Sequence, residues 1–237
     1  KVFVVTSVQL ALTPLLMKKM NDPDNKRFYS KVLTYFSFGL MFCALGLNLF
    51  SREGIVWVTT NPDYIEALYV IPFVTYAIFF SMMRECCMIG LQVMKKTKII
   101  SYIIVGITVL NFFLNMLLVP SMGMYGAALS TMIVQVISWL ACYVFAQKYY
   151  AIPYELTKVW KVLVIGTLLY FVGTVFNETA IWISVLVKLV ILVCYPFLLY
   201  KWHFYDKNEE NNLKGAWNKW SDLKRLKENV KNVKFRM

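Results

Sequence analysis

The stretch LVPSMGMYGAALSTMIVQ, residues 118–135, decides how this chain folds. Apolar sequence runs almost unbroken on both sides of it. In its middle stand Pro120, Gly123 and Gly126, followed by Ala127 and Ala128. A proline cannot continue the helical hydrogen-bond ladder without cost, and a glycine tolerates a tight return. The small residues that follow let two helices approach closely, which is how helices associate where both are equally greasy. The reading is a tight hairpin: one apolar helix ends near residue 119, and a second begins near residue 123.

Working outward, the same apolar character covers most of the chain. Of 237 residues, 59% are hydrophobic and only 16% are charged, too little polar surface for a soluble domain of this length. A bilayer crossing needs about 20 apolar residues. Six complete candidates fit, at about 32–51, 65–91, 99–119, 123–147, 159–176 and 180–200, after a partial one at 2–17. Backbone groups in lipid must be satisfied within the segment or by a closed barrel. No barrel-type alternation is present, so the expected fold is an all-α, polytopic membrane helical bundle. The chain starts directly in apolar sequence without a leader pattern, so it is expected to begin inside a transmembrane helix.

The net charge of +12 would suggest a nucleic-acid partner in a soluble protein. Its distribution removes that class. Loops 18–31, 92–98 and 148–161 and the tail from Lys201 carry 21 Lys/Arg, whereas the connections between them carry one, Arg52. This alternation expects six spans with the C-terminus on the cytoplasmic side. In the tail, 201–237, Leu213, Trp217, Trp220, Leu223, Leu226, Val230 and Val233 recur at helical spacing among basic residues. That pattern suits an amphipathic helix on an anionic leaflet, or else a solvated tail. The five cysteines lie in apolar stretches without metal-ligand spacing and read as buried small hydrophobes. With one histidine, His203, neither a multi-histidine metal site nor a histidine-based catalytic site is expected, and no cofactor or metal is implied.

Ionisable residues inside spans are expensive and point to function. Arg84 and Glu85 lie deep in the 65–91 segment, with Ser81, Glu85 and Gln92 on one helical face. Arg84 is about 16 Å along a helix from Lys95, a long reach for snorkelling. It either meets an anionic substrate group in a water-filled cavity or forms an ion pair that holds helices together. Lys188, in mid-span, either lines a cavity or groove and meets a lipid phosphate, pairs with a carboxylate in a missing half, or snorkels from a lipid-facing position. Asn111 and Asn115 share a face of 99–119, with Gln135 on the next segment. They suit interhelical hydrogen bonds, or sugar contact as the alternative.

Asn115, Leu117, Val119, Pro120, Gly123, Gly126, Ala127, Ala128 and Thr131 match the pattern N-x-L-x-[IV]-P-x-x-G-x-x-G-A-A-x-x-T. The chain thereby resembles the C-terminal half of polysaccharide (O-antigen or capsule repeat-unit) flippases of the multidrug/oligosaccharidyl-lipid/polysaccharide exporter superfamily. LALTPLLMKKMNDPDNKRFYSK and REGIVWVTTNPDYIEALYVIP are similar to landmarks of that family in the same order. In the second, Asn61-Pro62 replaces the usual glycine. The resemblance covers about residues 8–150. It implies the second lobe of a MATE-like two-lobe transporter, with 1–147 as lobe helices, 148–200 as two trailing helices and 201–237 as the basic tail. It implies no enzyme but a flippase moving undecaprenyl-pyrophosphate-linked oligosaccharide by alternating access across a bacterial cytoplasmic membrane, completed by a missing N-terminal lobe. Two alternatives stay open. One is an ion-coupled multidrug or cation antiporter of the same superfamily, for which Glu85 is the acidic residue read deep within a full span. The other is a multispanning membrane glycosyltransferase or acyltransferase.

Overall fold

The computed structural model describes residues 18–19, 22–58, 62–178, 181–202 and 204–205; side chains are described for these except 62–65, 178 and 181. The partial span 2–17 and most of the amphipathic tail lie outside the described residues. Every regular element among the described residues is helical. These are α1 (Asn25–Val58), a 3-10 helix (Pro62–Tyr69), α2 (Ile71–Val93), α3 (Thr97–Tyr149), α4 (Leu156–Val175), a short 3-10 turn (Phe176–Glu178) and α5 (Ile181–Lys201). Five helical segments are long and apolar enough to cross a membrane. The chain divides into two compact units, 1–195 and 196–237. In the second, α5 runs out at Lys201, and the Trp202 N–H closes its last turn on the Leu198 carbonyl.

The 53 residues of α3 would reach about 80 Å as a straight rod, more than twice the hydrocarbon thickness. They do not form one. Gly123 takes φ 54° and ψ −129°, and the helix folds back there into two antiparallel arms. A side chain is strongly disfavoured at this backbone conformation, so the glycine makes the reversal. The arms meet at once: a Cβ built on Gly126 would lie 2.2 Å from the Leu118 carbonyl oxygen. Three residues from the hinge, Pro120 stays within helical geometry. Farther along, Ser130 Oγ donates to Asn115 Oδ1 at 2.7 Å, and Asn115 Nδ2 donates to Asn111 Oδ1 at 2.6 Å. The hairpin therefore carries its own polar tie, while most of its outer surface, including Phe112, Phe113, Met116 and Leu117, is exposed. In a bilayer that surface faces apolar material, so its exposure carries no solvation cost.

The remaining helices pack more deeply. Leu33, Ser37, Met41, Ala44, Leu45 and Asn48 recur every three to four residues on α1 and are all buried. Tyr195 of α5 stacks on Phe38 and donates to its carbonyl oxygen at 3.2 Å. Tyr76 of α2 and Thr167 of α4 share a 2.7 Å hydrogen bond. The exit from α2 is a compact reversal. Lys95 takes φ 55°, its N–H donates to the Gln92 carbonyl, and the Lys96 N–H donates to that of Leu91. These two bonds satisfy the last carbonyls of the helix before α3 starts.

The segment between α3 and α4 is pinned. Ser30 Oγ donates to the Pro153 carbonyl at 2.6 Å, Gln147 Nε2 donates to that of Ile152 at 2.6 Å, and Tyr150 Oη donates to Asn25 Oδ1 at 2.9 Å. Ile152 packs with Tyr29 and Ile89. Burial first, then the neighbouring thiols, push the Tyr154 phenol well above its usual range.

Two sequence expectations are corrected. The span read as 32–51 runs on to Val58, so Arg52 and Glu53 are helical rather than part of an outer loop. The segment REGIVWV contains no proline and a single glycine, and a buried partner for Glu53 offsets the cost of drawing its charge into the bundle. The five cysteines are not uniformly buried: Cys86, Cys87 and Cys142 are, but Cys43 is exposed and Cys194 half-buried. A thiol on an apolar helix surface costs little where the surroundings are lipid.

Candidate functional site

Two ionic clusters stand within the helices, and each is built differently. The first begins with Arg84 and Glu85, adjacent on α2. The guanidinium donates to Glu85 Oε1 through Nη2 at 2.6 Å and through Nε at 3.2 Å. Its Nη1 turns to the second arm of α3, reaching Ser138 Oγ at 3.3 Å and Gln135 Oε1 at 3.5 Å. The last contact is at the limit of a hydrogen bond. The planar fork thus serves a carboxylate and a neighbouring helix together, which a lysine could not do. About a fifth of each side chain remains exposed, 19% for Arg84 and 20% for Glu85. Ser81 is buried beside the pair, whereas Gln92 lies two turns away, half-buried.

The second cluster has Lys188 of α5 at its centre. This lysine is fully buried at 0% exposure. Its Nζ lies 2.5 Å from Glu53 Oε1 on α1, and the same oxygen accepts from Ser184 Oγ at 2.8 Å. The carboxylate partner of Lys188 is therefore in this chain, 135 residues away, not in a missing half. Glu53 is thus a carboxylate drawn into the helices in addition to Glu85, which the sequence reading did not place there. The other oxygen, Glu53 Oε2, is buried without a hydrogen-bond partner among the described residues. A neutral tie lies one turn along α1: Asn48 Nδ2 donates to Thr75 Oγ1 of α2 at 2.9 Å.

Lys188 also lines a cavity of about 580 Å³. Its walls come from Asn48 and Arg52 of α1, Tyr69 of the 3-10 helix, Tyr170 and Thr174 of α4, and Asn177 of the turn before α5. That volume is in the range of small-molecule sites. Arg84, Glu85, Gln92, Asn111 and Asn115 do not line it. Asn111 and Asn115 instead join the two arms of the hairpin through Ser130. Gly123 and Gly126 form the reversal, and Ala128 is buried while Ala127 is half-buried.

Sequence reasoning missed Glu53 and Arg52 because both were assigned to a loop. One signal was available. An α-helix extended past residue 51 brings Asn48 and Arg52 onto one face, so a polar stripe runs into the supposed loop.

Among the described residues, long apolar helices, one pair folded back at a glycine, with ion pairs drawn in among them, define the class as a multi-pass membrane protein. No protein-family model and no curated protein sequence matches the chain. Among solved structures it is similar to the lipid II flippase MurJ in an inward closed conformation, with a TM-score of 0.63 and 20% sequence identity. The likeness covers 80% of this chain and 42% of the flippase, so the chain spans about two-fifths of that protein's length. The shared feature is the fold: a MurJ-like arrangement of membrane helices.

Proposed function

We propose that this chain is part of a flippase for lipid-linked oligosaccharide, moving undecaprenyl-pyrophosphate-linked repeat units of a surface polysaccharide across a bacterial cytoplasmic membrane. The observation that carries this reading is the fold likeness to a lipid II flippase over 80% of the chain. The hairpin motif from Asn115 to Thr131 supports it independently. The chain acts as a transporter, not as an enzyme. It works with an N-terminal lobe against which it rocks to give alternating access. Residues 1–147 form the lobe helices, 148–200 the trailing pair, and 201–237 a basic tail on the anionic leaflet, with the C-terminus cytoplasmic. Arg84, held by Glu85 and still partly exposed, is the cation offered to the substrate pyrophosphate, with Gln92 farther along the same helix.

The test is deletion of the gene followed by assay of surface polymer and of lipid-linked repeat units. Loss of polymer with accumulation of repeat units inside supports the reading; unchanged polymer overturns it. Replacing Arg84 with alanine in the full-length protein, with membrane insertion measured separately, should lower surface polymer at least tenfold. Normal polymer from a correctly inserted variant would remove Arg84 from the substrate path.

One observation favours a second reading, an ion-coupled antiporter of the same superfamily. Glu53 is a carboxylate drawn among the helices besides Glu85, and its Oε2 lacks a partner among the described residues. Transport of a cationic drug that stops when Glu53 becomes glutamine, in a strain whose polysaccharide is normal, would select that reading.

A further inference from the structure

We infer that the cavity lined by Arg52 and Lys188 is a binding site for a lipid-borne phosphate, separate from the Arg84 cluster. Three observations carry this. The first is charge. Arg52 and Lys188 both line the cavity, while Glu53, the carboxylate that compensates Lys188, is not part of its wall. Among the described residues Arg52 has no ion-pair or hydrogen-bond partner, and its guanidinium carries five N–H donors. Lys188 gives one N–H to Glu53, and its ammonium has two more.

The second observation is the neutral lining. Asn177, Tyr69 and Tyr170 line it with Asn48, whose amide is also bonded to Thr75. A fixed array of donors around two cations matches a phosphate's acceptor oxygens, and the guanidinium can hold two of them at once. It matches a cationic ligand poorly. The carboxylate that such a ligand needs is already shared between Lys188 and Ser184.

The third is depth. Arg52 lies six residues before the end of α1, and Lys188 seven after the start of α5. At 1.5 Å per residue, each is about 10 Å from that end of its own helix. Hydrocarbon occupies about 30 Å of a membrane and headgroups add several ångströms on each side. The 21 residues of α5 span about 31 Å, close to the hydrocarbon thickness, so Lys188 lies inside the apolar layer, while Tyr69 at the end of the 3-10 helix and Asn177 in the turn before α5 put the mouth of the cavity near the headgroup level. Its volume of about 580 Å³ exceeds what a phosphate alone needs and leaves room for a glycerol or a first sugar against the tyrosines.

This inference does not rest on the flippase reading. A phosphate at this depth has two sources: a bulk anionic phospholipid or a lipid-linked pyrophosphate. The experiment uses the full chain in phosphatidylcholine nanodiscs, titrated with dihexanoyl phosphatidylglycerol and, separately, with inorganic pyrophosphate. Binding is read by calorimetry in the wild type and in Arg52→Gln. Arg52 has no partner among the described residues, and folding of the variant is checked by circular dichroism. Saturable binding of either probe, weakened at least tenfold in Arg52→Gln and restored to within threefold in Arg52→Lys, supports the site. Tighter binding of phosphatidylglycerol assigns it to bulk phospholipid; tighter binding of pyrophosphate assigns it to the linked substrate. Equal binding by wild type and Arg52→Gln, or no saturable binding of either probe, overturns it. If Arg52→Gln does not fold, Asn177→Leu on the turn serves the same comparison, and an unchanged affinity there overturns the inference.

Discussion

Arg84–Glu85 and Lys188–Glu53 are both ion pairs within apolar helices, yet they are held in opposite ways. Arg84 and Glu85 are adjacent on one helix, keep about a fifth of their side chains exposed, and reach a second helix through hydroxyl and amide groups. Lys188 and Glu53 are 135 residues apart, join α5 to α1 directly, and leave the lysine with no exposure. The first pair forms wherever α2 forms. The second exists only when two distant helices have docked. A charge neutralised along its own helix is already compensated before the helices assemble. A charge neutralised across helices makes assembly conditional on finding its partner.

The largest effect is expected from breaking the second pair. Lys188→Met leaves Glu53 uncompensated in the bundle and should cost about 3–5 kcal/mol. In a domain of this size that is a fall of roughly 10 °C in unfolding midpoint, measured by heating the detergent-solubilised protein. The double change Lys188→Met with Glu53→Leu should recover most of the loss, because a buried pair replaced by apolar residues is close to neutral. A double variant as unstable as the single one would break the comparison.

A smaller effect is expected at the first pair. Arg84→Met should cost about 1–2 kcal/mol, since Glu85 keeps access to water and only hydrogen bonds to a charged group are lost. A loss equal to that of Lys188→Met would mean that exposure does not separate the two pairs. The smallest is expected from the uncharged tie in the hairpin. Asn115→Leu removes the acceptor of Ser130 and should cost about 0.6–1 kcal/mol, the range of interhelical hydrogen bonds in membranes. A cost above that of Arg84→Met would show that the hairpin, not either ion pair, sets the stability of this region.

Sequence alone carried the backbone architecture a long way. Length and apolar composition dictated membrane helices, because a bilayer offers no hydrogen-bond partners to an irregular backbone. Gly123 and Gly126 were legible as a reversal because the requirement is local: a positive φ and a close carbonyl exclude a side chain. The adjacency of Arg84 and Glu85 was legible for the same reason. Helix ends were less so. Residues 52–58 are apolar and charged in a mixture that suits either a loop or a continuing helix, and Glu53 within them finds its partners on α5.

What only the tertiary structure decided is the fate of Lys188. Its partner, its complete burial and the cavity beside it come from three elements far apart in sequence, α1, α4 and α5. Periodicity reports which face of a helix is apolar, but it does not report which other helix that face meets. Local backbone rules therefore set the hairpin and the spans, while long-range packing chose which charges meet across helices and which residues, Arg52 among them, line a cavity.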